Sequence, residues 1–188
     1  MIGYYLAAML IDAMYLDVKI HCVERKRAMD RAELAIEQWA HERPDLPSLP
    51  MAVLGRLAEA AERVTRDHMD PLFAESGLQR GEFDVLATLR RSGDPYMLSP
   101  TRLYEAAMIS SGGMTNRLDR LERAGLIERR PDPNDRRGKL IALTDAGRRV
   151  VDETISRHVA NEERLLSVLT TAEQEKLNAL LKKLIAGL

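Results

Sequence analysis

The stretch from Ser99 to Gly147 constrains the fold more than any other, because helix start and stop signals crowd it. "SPTRLYEAAMI" opens on Ser99, whose hydroxyl suits a helix N-cap, and on Pro100, whose fixed φ suits the first helical position. "SSGGMTNRLDRLERAGL" opens on two serines and closes at Gly125, a residue that readily takes the left-handed conformation ending helices. Two β-leaning runs follow, "LIERR" and "KLIALT", separated by a turn rich in Pro, Asn, Asp and Gly. Thr144 and Asp145 then open another helix. Two short helices on a tight turn describe a helix-turn-helix, and a hairpin appended to the second describes a wing.

Longer helical stretches flank this core. Upstream, "DRAELAIEQWAHE" begins at Asp30 as N-cap, and "RPDLPSLP" breaks it. Pro50 suits the first turn of the next helix, with Ser48 available to cap; that helix is expected to run to Gly77. "QRGEFDVLATLRRSG" is a further helix closed by Gly93. Downstream, one amphipathic helix runs to about Leu169, and Thr170 or Thr171 caps the last. The expectation is a mainly α fold with a small β-hairpin. Its parts are an extra N-terminal segment (1–28), N-terminal helices for ligand and dimerisation (29–79), a winged helix-turn-helix (80–143) and C-terminal dimerisation helices (144–188).

Charge is distributed unevenly. The chain has 28 basic and 29 acidic residues, but residues 80–149 hold 14 and 10, a local excess of positive charge that points to an anionic partner. Arg129, Arg130, Arg136, Arg137 and Lys139 gather on the hairpin. DNA is a dense line of negative charge, and a narrow minor groove focuses its field, so a slender cationic projection fits it. Asp135 is placed to hold an arginine fork in position. The scarcity of aromatic residues, 4%, argues against a stacking platform for single strands.

On a helical wheel started at Met114, Leu118 and Leu121 fall within roughly 40° and face the core. Asn116 and Arg123 point the opposite way, with Asp119 and Arg120 to either side. Asn can read adenine and Arg guanine through paired hydrogen bonds in the major groove. Thr115 shares this outward region, and Ser110, Ser111, Gly112 and Gly113 offer hydroxyls and bare backbone to a phosphate. A solvated helix face and a solubilising loop are the alternatives.

The run "LDRLERAGLI", the wing "DRR" and "LTDAG" resemble the winged helix-turn-helix of the MarR (multiple antibiotic resistance regulator) family. The resemblance implies a homodimeric cytoplasmic bacterial transcription regulator on a pseudo-palindromic operator. It matches Asp135 to a wing Asp that orients a tip Arg in the minor groove, here Arg137 with Arg136 adjacent, and Arg129 joins the expected DNA contacts. Apolar rows on the two C-terminal helices (Val150, Val151, Ile155; Leu177, Leu180, Leu181, Leu184) lack cover in the sequence and suit a dimer face. Paired reading heads would then lie about one DNA turn apart, ~34 Å.

A small-molecule site is expected as well. Trp39 is the only tryptophan and lies in the added N-terminal helix. Asp84 and Arg91 share one helix face, ~10.5 Å apart along its axis. Arg117 falls beside the apolar stripe of the recognition helix and can turn inward. These four, Trp39, Asp84, Arg91 and Arg117, resemble the ligand set of the urate-responsive branch of the MarR family. That resemblance implies release from DNA by urate or a related purine or aromatic anion. A packing aromatic, a surface ion pair and a phosphate contact are the other readings of the same residues.

Cys22 is the only cysteine, so no internal disulfide forms, which fits a reducing cytoplasm; with His21, Arg25 and Lys26 nearby it also marks a redox-sensing alternative. A winged-helix protein-interaction module is the other alternative. "MIGYYLAAMLIDAMYL" falls short of the ~20 apolar residues of a membrane span. It is an added amphipathic helix, or Met29 is the true start. Four scattered histidines match no metal spacing, and no phosphate loop or nucleophile elbow occurs, so neither an enzyme nor a cofactor is expected.

Overall fold

The computed structural model describes residues 30–107, 113–133 and 135–188, and contacts divide it into two units that meet in sequence between Val64 and Thr65. Residues 65–79, expected with the N-terminal helices, go with the second unit, because Phe73 and Leu78 belong to its core. Among the described residues no helix is long and apolar enough to cross a membrane.

The first unit is a helix pair, α1 (Arg31–Glu42) and α2 (Ser48–Arg63). Asp30 caps α1, its Oδ1 accepting from the Glu33 N–H at 2.7 Å, as its place before the helical run requires. Its other oxygen takes Arg56 Nε at 2.6 Å, and Arg31 lies 3.6 Å from Glu62, so the helices run antiparallel. Ser48 does not cap α2: Pro47 takes that place and Ser48 is already helical. With Ser48 as cap, Pro50 would stand where a capping hydroxyl seeks an N–H, and proline has none.

The long helix expected to reach Gly77 is interrupted. A π-helical segment, Val64–Met69, separates α2 from α3 (Asp70–Glu75). Pro71 is the cause: its ring displaces the carbonyl of Asp67, and a widened turn absorbs the missing bond.

The second unit is built around α4 (Arg80–Arg91), whose Val85, Leu86 and Leu89 are fully buried. Packed on it are α5 (Pro100–Ala106), α6 (Met114–Arg123), the sheet, and α7 (Asp145–Leu166); α8 (Thr171–Ile185) ends the chain. Ser99 caps α5 and Thr144 caps α7, both as expected, and Thr170 forms a capping box with Glu173 on α8. The sheet has three antiparallel strands rather than a bare hairpin: β1 (Met97–Leu98), β2 (Ile127–Asp132) and β3 (Asp135–Leu143), in the order β1-β3-β2. Met97 faces Ala142 and Leu98 faces Ile141, so a two-residue strand ties the wing's root to the loop after α4.

One apolar row expected at the dimer face lies elsewhere. Val151 is 1% exposed inside this unit's own core, with Val150 and Ile155 packed against it. The α8 row stays uncovered: Leu180 is 56% exposed and Leu177 and Leu184 stand beside it.

Candidate nucleic-acid interface and effector cavity

The reading helix is α6. Gly113, at φ 82°, is its N-cap; Ser110 and Ser111, expected at the helix start, lie outside the described residues. Leu118 and Leu121 are buried and Met114 packs against the core, which fixes the roll of the helix. Thr115, Asn116, Arg120 and Arg123 are consequently exposed together, and Arg123 is steadied by donating from Nε to the Asp119 carbonyl at 3.1 Å. Asn116, Arg120 and Arg123 line one surface groove of about 430 Å³.

The wing's arginines divide into two classes. Arg129 turns back onto α6, donating from Nη2 to Asp119 at 2.6 Å and from Nη1 to Glu122. The hydrogen bond it donates to Asp119 holds its guanidinium above the ordinary arginine range against the opposing effect of burial. Arg130 pairs with Glu128 on its own strand. Both base arginines thus have carboxylate partners, and Arg129 fastens β2 to α6. Beyond Pro131 the β2–β3 register slips: Pro131 faces Lys139, but Asp132 faces Asp135. The extra residues this slip puts on β3 are Arg136, Arg137 and Gly138, so the bulge at the tip carries the remaining two arginines.

Arg120 has a second attachment that the sequence did not signal. Its Nε lies 2.7 Å from Oε1 of Glu82, a carboxylate only 3% exposed in the first turn of α4. The approach is off the direction of a hydrogen bond, so this is a charge contact. The other oxygen, Oε2, accepts from the Gln79 N–H at 2.7 Å and closes the α4 capping box.

Arg117 does turn inward. Its side chain lies across Gly81 so closely that a Cβ there would stand 2.4 Å from Arg117 Nε. Arg117 and Asp84 line the same open cavity of about 810 Å³, with Phe73, Phe83 and His158 in its wall. The two phenylalanines, the only ones in the chain, stack at 4.4 Å, and His158 meets both rings at 5.3 Å. Sequence reasoning missed this aromatic wall, although two Phe in so aromatic-poor a chain were a usable signal. Arg91 is outside the cavity lining but 3.9 Å from Asp84, and it donates to the Ala106 carbonyl at the end of α5. Trp39 lies in the first unit, half-exposed, in a separate cavity of about 360 Å³ between α1 and α2.

Comparison with known proteins agrees with this architecture. The MarR family model matches residues 76–138, from the end of α3 to the wing bulge. The HTH-type transcriptional regulator PecS of Dickeya dadantii is 43% identical over 146 residues, 78% of this chain and 87% of its own length. A MarR family transcriptional regulator from Streptomyces coelicolor, solved in complex with DNA, is 25% identical with a TM-score of 0.66, over 76% of this chain and 90% of its own. BpsR of Bordetella bronchiseptica, whose DNA binding is regulated by 6-hydroxynicotinic acid, is 27% identical with a TM-score of 0.61, over 69% and 91%. With a relative this similar over nearly its full length and the family model falling on the winged helix, the chain belongs to the MarR family.

Proposed function

We propose that the protein is a transcription repressor that binds a pseudo-palindromic operator as a homodimer and is released by a planar anion such as urate. Charge placement carries the reading. Asp119, Glu122 and Glu128 take up the arginines at the wing's base, the exposed face of α6 carries Asn116, Arg120 and Arg123, and the bulge at the wing tip is where Arg136 and Arg137 fall in the chain. Ser110 and Ser111 belong to the same proposal as phosphate contacts, and Asp135 as the residue orienting a tip arginine. The uncovered leucine row of α8 supports pairing of two copies.

For the effector, Arg117 offers a cation and Asp84 a repelling carboxylate to an anion in the aromatic-walled cavity. An anion that draws Arg117 and displaces Asp84 favours a state in which α6 is no longer held for DNA; each 1.4 kcal/mol of differential affinity shifts that balance about tenfold. A relative regulated by 6-hydroxynicotinic acid, itself flat and anionic, supports the ligand class. Arg91, at Asp84's side, would feel the same charge. Trp39, which lines its own cavity in the first unit, stays in the proposed ligand set on the family resemblance alone.

The test is a gel shift on the DNA upstream of the protein's own gene, with urate, xanthine and 6-hydroxynicotinate added in turn. Retention that weakens steeply with salt, release by a planar anion, quenching of Trp39, and a blunted response in Arg117→Ala are expected. Unchanged affinity at millimolar anion would remove the effector; no retention of any duplex in dilute buffer would remove the regulator.

A further inference from the structure

The geometry points to Glu82 as a specificity-determining positioning residue: its buried carboxylate holds Arg120 in one orientation, so that the base-reading face of the recognition helix is set before DNA arrives. This rests on the DNA-reading role proposed above.

Glu82 is 3% exposed, and a carboxylate so placed needs a positive partner. Its two oxygens are divided between tasks. Oε2 caps its own helix through the Gln79 N–H. Oε1 has no directed hydrogen bond, yet lies 2.7 Å from Arg120 Nε. The Arg120 side chain is 49% exposed, so its base is anchored by charge while the rest reaches the groove it shares with Asn116 and Arg123. With Nε held 2.7 Å from a buried carboxylate, the guanidinium is restricted in where it can stand at the groove, and paired recognition of a base edge depends on that placement. Arg123 is anchored to a backbone carbonyl one turn back on the same helix. Arg120 is tied across to α4, and its orientation therefore depends on where α4 holds Glu82.

Glu82→Gln separates the two tasks. The amide oxygen still accepts from Gln79 N–H and keeps the capping box, while the amide nitrogen, a donor, faces Arg120 and ends the attraction. Binding of the full-length protein is measured by fluorescence anisotropy on the upstream operator and on a scrambled duplex of equal length. Glu82→Gln is expected to leave scrambled-duplex affinity within about twofold and to lower the operator-to-scrambled ratio about tenfold, the range of one paired base contact. Arg120→Ala lowers the same ratio, and the double variant falls no further than Arg120→Ala alone, because Glu82 acts only through Arg120. An additive double variant, an unchanged ratio in Glu82→Gln, or an unchanged ratio in Arg120→Ala overturns the inference while leaving the regulator reading intact. A wild type that fails to prefer the operator overturns both. Arg120→Lys guards against a folding artefact: it keeps the charge near Glu82 but not the planar fork, and is expected to keep the wild-type melting temperature with a reduced ratio; a full ratio overturns the positioning role.

Discussion

Replacing Gly147 by alanine sets two physical effects directly against each other. The position is inside α7, where alanine is favoured over glycine by about 1 kcal/mol. Helix propensity alone therefore raises the melting temperature. The packing says otherwise. A Cβ at 147 would stand 2.0 Å from the Leu126 carbonyl oxygen and 2.9 Å from both its carbonyl carbon and Leu143 Cδ1. Ordinary carbon–oxygen contacts begin near ~3.3 Å, so more than 1 Å of separation must be opened. Neither side gives easily. Leu126 O accepts from Thr144 N and Thr144 Oγ1, each at 3.1 Å, and that hydroxyl also caps α7 at Gly147 N at 3.0 Å. Overpacking costs about 1–3 kcal/mol, and losing the cap and one carbonyl bond adds about 1 kcal/mol each. Set against the propensity gain, the net loss is about 3 kcal/mol. For a chain of this size that is a fall in melting temperature of about 6–12 °C. Thermal unfolding followed by circular dichroism, at one fixed protein concentration, reads it; a urea midpoint that drops at constant m confirms that stability changed. An unchanged or higher melting temperature refutes the close-packing argument.

Gly81→Ala also meets an atom closer than 3 Å, but that atom belongs to the Arg117 side chain, which can swing away. Stability is expected to hold or rise by up to about 1 kcal/mol, while the anion concentration needed for DNA release increases; a large loss of melting temperature contradicts this. Arg129→Ala removes the tie between β2 and α6 and leaves Asp119 and Glu122 without their counter-charge. Because the side chains involved are 29% to 46% exposed, the cost is held to about 1–2 kcal/mol, read by urea denaturation, with weaker DNA binding in low salt; wild-type stability and affinity would show the tie to be idle. Acidification weakens two helix caps. Arg56 first, then the Glu33 N–H, holds the Asp30 carboxyl below its ordinary 3.8, and Thr170 holds Glu173 below 4.5. Depressed carboxyl values mean stabilisation that is complete above those ordinary values and lost as pH falls through the folded ones. Asp30→Asn and Glu173→Gln are therefore expected to be less stable than wild type at neutral pH, with the gap narrowing as pH falls below 3.8 and 4.5 respectively; a gap that stays constant as the medium is acidified would refute the assignment.

What was legible in the sequence was local. Ser99, Thr144 and Thr170 cap the helices that their positions announce, and the roll of α6 followed from Met114, Leu118 and Leu121 alone. The illegible parts depend on distant partners. Two residues, Met97 and Leu98, have no periodicity to show that β3 will pair with them. Val150, Val151 and Ile155 make an apolar row whether a core or a second copy covers it; the choice lay with Phe73, Phe83 and Leu86. Arg129 advertises a formal charge, but Asp119 and Glu122, which neutralise it, come from another element. The residues proposed for the effector were legible only as types. That Asp84 and Arg117 line one cavity, with Phe73, Phe83 and His158 in its wall, required the fold.

One turn of helix, Gln79 to Glu82, meets two arginines of α6. Gly81 gives Arg117 room to lie across α4, and Glu82 holds Arg120 by charge. The arginines are three residues apart, so they leave neighbouring positions on α6: Arg117 lines both the cavity and the edge of the reading-face groove, whereas Arg120 lines the groove and not the cavity. A ligand that draws Arg117 into the cavity therefore acts on the same turn of α4 that sets Arg120. No long chain of contacts is needed between effector and DNA, only a shift of α6 against this turn. The arrangement also makes the two functions separable. Gly81→Ala disturbs Arg117 and should change the anion response while sparing operator preference. Glu82→Gln loosens Arg120 and should do the reverse. If either substitution changed both measurements in equal proportion, the turn would act as one rigid seat for α6, and the division of labour between the two arginines would be wrong.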